Sequence, residues 1–230
     1  ALSAGLEIGF SIFLMAVLYT LFIDELPPAF LHVLLAWAYP LGFIFVIIGK
    51  SELFTEHTTL AVIPVLNRDS TIRSLLVLWG LVYSGNLIGG YIFGFIITIL
   101  TNQMHIISQE SLTNLARDLI DHSWLVILFS SILAGWLMGL LSWLITSSQE
   151  TISRIFIVVL ITTVIGIGSL HHSIVGSIEV FSAALLSDQI GWKDYVFNQV
   201  FMTLGNIIGG VVFVALIKFS HINPRKIIEN

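Results

Sequence analysis

Long apolar stretches divide this chain from end to end. They run from about Leu2 to Ile23, Pro28 to Gly49, Leu75 to Leu100, Trp124 to Thr146, Ile155 to Leu186 and Tyr195 to Ile217. A helix needs about 20 apolar residues, at about 1.5 Å each, to cross a bilayer. Each stretch is long enough, so lipid is the expected solvent for most of the molecule. Composition agrees: 57% of the 230 residues are hydrophobic and 10% are charged, too little polar surface for a soluble domain. The expectation is an all-α membrane protein with six transmembrane helices, forming a single transmembrane domain over residues 1–230. The opening residues, ALSAGLEIGF, show neither a basic n-region nor a small-residue cleavage pattern. They read as the start of the first span, not as a signal peptide. The absence of an initiator Met leads to the expectation that further N-terminal residues precede Ala1.

Several chemistries are set aside by what the chain lacks. Without cysteine there is no disulfide framework, thiolate zinc site or cysteine nucleophile, and the redox compartment stays open. The net charge of -5 is scattered, and no basic stripe suits a nucleic acid. There is no HExxH, no GxSxG and no pair of aspartates in facing spans, so no enzyme, metal site or cofactor is expected.

Two of the stretches cannot be simple spans. As one helix, Ile155 to Leu186 would reach roughly 48 Å against a hydrocarbon core of roughly 30 Å. It is expected to break at GIGSLHHSIVGS, Gly166 to Ser177, where two histidines sit among glycine and serine. The second stretch shows the same defect: KSELFTEHTT follows Gly49 before Leu60 to Leu66 resumes as apolar. Pro28 to Leu66 therefore reads as a helix, a polar re-entrant break and a half-helix. Basic residues set the orientation. Arg68, Arg73, Arg154, Lys218, Arg225 and Lys226 mark the cytoplasmic ends, which places both termini in the cytoplasm. Asp24 to Pro28, Thr101 to Ser123 and Ser187 to Asp194 read as loops on the opposite side.

An internal repeat supports this count. SGNLIGG (Ser84 to Gly90) in the third span recurs as LGNIIGG (Leu204 to Gly210) in the sixth. Phe54 to Gly85 is 31 residues and His172 to Gly205 is 33, so each copy follows a break at a similar distance. Three spans per half is an odd number, which makes the halves, about 1–100 and 120–220, an inverted repeat. In such folds the interrupted helices meet near the midplane and their freed amides converge on the permeating ion. The glycines of the repeat also suit plain helix packing. Asn86 and Asn206 are candidates to bond to the breaks.

Ionisable residues inside spans are costly, so each is a functional candidate. Here they are Glu7, Lys50, Glu52, Glu56, His57, His171, His172 and Glu179, and six of the eight fall in the two breaks. Glu7 and Glu179 read equally as paired or water-facing carboxylates. His172 is the sharpest candidate, because a mid-membrane histidine can hand a proton to a weak-acid anion and spare it much of its desolvation cost. The competing reading is a neutral imidazole that ties down broken backbone.

GKSELFTEHT (Gly49 to Thr58), LVYSGNLIGG (Leu81 to Gly90), SLHHSIVGS (Ser169 to Ser177) and LGNIIGG together resemble the formate/nitrite transporter superfamily over essentially the whole chain. LFTE followed by AVIPVL, ILAGW (Ile132 to Trp136) and HSIVGSIEV look most like its divergent YfdC-like branch. The resemblance implies an aquaporin-like fold, a homopentamer in the bacterial inner membrane, and one anion pore per protomer. By similarity His172 is the central pore histidine and Thr55 its hydroxyl neighbour. Leu53 and Phe54 would form one constriction with Phe43, and Ile165 and Met138 would flank the other. True aquaporins are excluded by their own signature, since the only Asn-Pro is Asn223-Pro224 in the tail.

The chain departs from the family pattern in three places. Sixteen residues before Gly135, where the family usually has a lysine, stands Leu119. Gly135 and Gly176 stand where transporting branches usually have asparagine. Glu56 adds a carboxylate beside Thr55, and Lys50, six residues away, would pair with it, face the pore, or snorkel to the cytosol. The expected function is a channel or transporter for small monovalent anions, formate-like or nitrite-like, with proton coupling through His172. The alternatives are a cation, ammonium-like or neutral-solute pore on the same fold, and a non-conducting scaffold or sensor.

Overall fold

The computed structural model describes residues 1–216. Lys218, Arg225, Lys226, Asn223-Pro224 and the end of the sixth stretch at Ile217 lie outside the described residues. The described chain is helical throughout: α1 Leu2–Phe22, α2 Pro28–Ala38, α3 Pro40–Gly49, α4 Phe54–Leu60, α5 Val62–Leu66, α6 Ile72–Met104, α7 Gln109–Ile120, α8 Trp124–Ser147, α9 Thr151–Ile167, α10 Ser173–Leu186 and α11 Trp192–Gly210. A π-helical turn, Val211–Leu216, continues α11. By length and apolarity five helices can cross a membrane: α1, α2 with α3, α6, α8 and α11 with its continuation. The stretch expected to break contributes two shorter apolar helices, α9 and α10, on either side of residues 168–172.

Local chemistry explains the joints. Proline begins both α2 and α3, where its missing N–H costs nothing and its fixed φ suits a first turn. Pro40 thereby interrupts the second span at Tyr39, a joint not foreseen from hydropathy. Thr71 caps α6 by accepting the Ser74 N–H at 3.1 Å, and Ser108 caps α7 by accepting that of Ser111 at 3.0 Å.

Two expectations change. The polar break after Gly49 is only four residues long, 50–53, and FTEHTTL is helix α4; Glu56 and His57 therefore stand on a helix, not in a loop. Thr101 to Ser123 is not one loop either. It carries the end of α6 and the whole of α7, whose Leu112, Leu115 and Ala116 are buried on one helical face.

Packing has two tiers. α10 is central, and every residue from His171 to Val180 is buried. The outside is apolar: Phe30, Ile72, Leu81 and Ile152 are 67–82% exposed, a surface that lipid or another apolar face must cover.

The repeated glycines lie at helix crossings. A Cβ on Gly209 of α11 would stand 2.6 Å from the Trp136 amide nitrogen of α8, and one on Gly135 would stand 2.6 Å from the Asn206 Cα. Gly89 of α6 meets the Leu6 amide of α1 at 3.0 Å by the same measure. Gly209→Ala is therefore expected to force α8 and α11 apart and cost about 1–3 kcal/mol. Gly80→Ala, where nothing lies within 4 Å, should instead stabilise by up to about 1 kcal/mol through helix propensity. Thermal unfolding in detergent checks the opposite signs.

Candidate functional site

Each break is built by the same sequence of backbone conformations. Lys50 turns left-handed at φ 58 and the next amide, Ser51 N–H, donates back to the Val46 carbonyl at 2.9 Å. Ser169 turns left-handed at φ 46 and Leu170 N–H donates back to the Ile165 carbonyl at 3.0 Å. This is the six-to-one closure that ends many helices. Extended residues then lead into the half-helices: Leu53 before α4 and His172 before α10. The corresponding positions lie 119 residues apart, Lys50 to Ser169 and Leu53 to His172.

Both breaks are held by an asparagine side chain. Asn86 Oδ1 accepts from Phe54 N–H at 2.8 Å while its Nδ2 donates to the Glu52 carbonyl at 2.9 Å and the Ala1 carbonyl at 2.7 Å. Asn206 Oδ1 accepts from Ser173 N–H at 2.8 Å while its Nδ2 donates to the His171 carbonyl at 3.1 Å and the Ser131 carbonyl at 2.8 Å. An amide is the side chain that offers an acceptor and two donors from one plane. That is what a severed helix end needs.

His172 and Thr55 join the two breaks. The His172 Nε2 and Thr55 Oγ1 are 2.8 Å apart, and both residues are 1% exposed. His172 Nδ1 accepts the Val175 N–H at 3.3 Å and so caps α10. An acceptor carries no proton, so the proton of this neutral ring is on Nε2 and is donated to Thr55 Oγ1. The Thr55 hydroxyl hydrogen is then left to donate elsewhere. The Phe43 ring stands edge-on to the imidazole, centroids 5.3 Å apart, and stacks on Tyr39 at 5.3 Å. Phe43 thus lies against both Tyr39 and His172.

His171, the adjacent histidine, faces packing. Its Nε2 donates to the Leu119 carbonyl at 2.9 Å, and its Nδ1 lies 2.9 Å from Ser130 Oγ, which also accepts the His171 N–H at 3.1 Å. It pins the second break to α7 and α8.

The sequence and the fold are matched by known proteins. The formate/nitrite transporter family matches residues 1–220. The chain belongs to that family. The inner membrane protein YfdC of Escherichia coli is 29% identical over 236 aligned positions, covering 100% of this chain and 72% of the relative. The formate channel FocA of Haemophilus influenzae is 27% identical over 199, covering 77% and 70%. A solved pentameric formate channel with formate bound superposes with a TM-score of 0.79 at 22% identity, covering 96% and 94% of the two chains, and shares the fold. The chain is an integral membrane protein.

The remaining candidates of this transporter-family chain separate into groups. Leu53, Met138 and Ile165 are fully buried. The Phe54 ring lies against α6, 4.9 Å from the Tyr83 ring and 6.2 Å from Trp79. Lys50 is exposed and forms no ion pair with Glu56. Glu56 is half-buried in the first turn of α4, and its carbonyl accepts from Ser142 Oγ at 3.3 Å. Glu7 accepts from Ser51 Oγ at 2.9 Å through Oε1, and its Oε2 is buried without a partner. Gly135, where asparagine was the family expectation, faces Asn206 backbone so closely that a side chain would need the helices to part. Sequence reasoning missed Tyr39 and Ser130. Tyr39 stood out only as a phenol in an apolar run, and Ser130 only as one of several small polar residues in α8.

Proposed function

We propose that this protein is a pore for small monovalent anions of weak acids, formate-like or nitrite-like, with His172 and Thr55 at its centre. The observation that carries the reading is the His172–Thr55 hydrogen bond, which lies where two broken helices meet in a chain of this family. Around it the free Thr55 hydroxyl hydrogen is one donor. The Ile174 N–H, in the first turn of α10, makes no hydrogen bond among the described residues and is a second. Helix N-terminal donors stabilise negative charge. Phe43, Leu53, Ile165 and Met138 form dry constrictions that an anion passes more readily when a proton neutralises it.

The architecture in this reading is six spans in two inverted halves, about 1–100 and 120–220, assembled as a homopentamer in a bacterial cytoplasmic membrane with both termini inside. The paired asparagines and the repeated left-handed turns support the inverted halves. The solved pentameric formate channel that shares the fold supports five copies. Arg68, Arg73 and Arg154 support the orientation.

Purified protein in liposomes tests this. Formate and nitrite uptake should exceed that of protein-free vesicles and of methylammonium. Methylammonium flux alone would support a cation pore, and background flux throughout would support a scaffold. Charge at the first break gives a finer test. Glu56→Gln removes a carboxylate one residue from Thr55 and should raise anion uptake about two- to tenfold; Lys50→Gln should lower it by a similar factor, as a charge at several ångströms in a partly wet mouth allows. Unchanged uptake in both variants would leave Lys50 as a snorkelling residue.

A further inference from the structure

A cavity of about 80 Å³ has Glu179 and Tyr39 in its wall, together with Asp118, His32, Ser169 and Ile165. Its polar groups are mismatched to anions. Glu179 is 5% exposed and forms no hydrogen bond or ion pair with any described residue. Asp118 is close enough to act on it electrostatically, as Glu179 is to act on Tyr39. No lysine or arginine lines the cavity. His32 Nε2 donates to the Ile167 carbonyl at 2.8 Å.

Tyr39 supplies an independent observation. The residue is 6% exposed, and its hydroxyl is buried without a hydrogen-bond partner. Buried polar atoms are nearly always paired, so a bare phenol oxygen beside a bare carboxyl group, both in the wall of one cavity, indicates something bound between them. A buried carboxylate also needs a countercharge or a proton.

We propose that this cavity binds one small monovalent cation, an alkali or ammonium-type ion, between the Glu179 carboxylate, the Asp118 carboxylate and the Tyr39 hydroxyl oxygen. The volume suits an ion with about two waters, each taking roughly 30 Å³. Among the described residues no group of three or more His, Asp or Glu able to hold a metal ion occurs, so the ion proposed is a weakly held monovalent one that keeps waters among its ligands. The bound ion would stand beside Tyr39, whose ring stacks on the Phe43 ring that meets His172.

The site is tested without transport. Purified protein in detergent is heated in lithium, sodium, potassium, caesium, ammonium or methylammonium chloride, at ionic strength held constant with N-methylglucamine chloride. A ligand that binds the native state raises the midpoint in a saturable way. At least one of these cations should do so in the wild type. Glu179→Gln should weaken the effect tenfold or more, Asp118→Asn by less, and Glu110→Gln, exposed on the same helix, not at all. Radiolabelled binding of the best alkali cation to wild-type protein, competed by the others, is read in parallel and needs no variant to fold. No cation response above N-methylglucamine, or an equal response in Glu179→Gln, would overturn the site and leave Glu179 a neutral acid. Ammonium without alkali ions, or the reverse, identifies the class within it. A failed cation response would leave the liposome test of anion passage intact.

Discussion

Asn206→Ala is expected to be the most destabilising single-atom-group removal in the bundle, lowering stability by about 2–4 kcal/mol. Three hydrogen bonds go with the amide: one from Ser173 N–H and one each to the His171 and Ser131 carbonyls. In lipid-embedded proteins such bonds average about 0.6 kcal/mol each, because the unfolded reference in the membrane also finds partners. That alone gives about 2 kcal/mol. The break, however, is fully buried around His171, His172 and Ser173, so the three orphaned groups gain no water, and each carries part of a desolvation cost of about 1–3 kcal/mol. Asn206→Asp sharpens the argument. It keeps the acceptor for Ser173 N–H but loses both donors and introduces a charge, so it should be at least as damaging as alanine. Thermal unfolding of detergent-solubilised protein measures both. A loss under about 0.5 kcal/mol for Asn206→Ala would show that the break holds its shape without the amide. Asn86→Ala, with the matching bonds at the first break, should fall in the same range.

The positions of the breaks were legible because they follow from length. An uninterrupted Ile155 to Leu186 cannot fit a bilayer, and glycine, serine and histidine mark where the helix gives way. The way each break is closed was not legible. The left-handed residues are Lys50 and Ser169, each just after the glycine that sequence rules would have chosen for that conformation, so the turn is imposed by the closure and the asparagine clamp. FTEHTT was misplaced as loop because its polar residues lower the local hydropathy, yet its threonines face buried partners: Thr58 Oγ1 donates to the Thr55 carbonyl at 2.9 Å and Thr59 Oγ1 to the Gly210 carbonyl at 3.2 Å. α7 was missed for a related reason. A scan for spans ignores a twelve-residue amphipathic helix, although Ser108 as cap, Glu110 in the first turn and the Leu112, Leu115, Ala116 spacing are an ordinary helix signature. The separate fates of the paired histidines could not be read from a HisHis dipeptide; they depend on whether Ser130 or Thr55 lies opposite.

His172→Asn is expected to flatten the pH dependence of anion uptake between about pH 5 and 8, with the wild type faster at the acid end. The substitution isolates titration from structure. Asparagine is a favoured helix cap, so its side-chain oxygen can take over the Val175 N–H that His172 Nδ1 accepts, and its amide can still donate toward Thr55 Oγ1. What it cannot do is carry a proton. In the resting geometry Nδ1 is committed to the cap, so a second proton on the ring would set two donors against each other at that nitrogen. Something must compensate, and an anion accepting from the ring or from the Thr55 hydroxyl is the natural source of that compensation, which couples the arriving charge to the proton. His171→Asn is the internal control: it removes the bonds to Leu119 and Ser130 and should lower thermal stability while leaving the shape of the pH profile alone. Protein-free vesicles correct for the neutral acid that crosses lipid unaided. A wild-type profile retained by His172→Asn and lost by His171→Asn would move the proton site to the other histidine. If neither variant changed it, both rings would be scaffolding, and Thr55 with the α10 amides would remain as the groups that meet the anion.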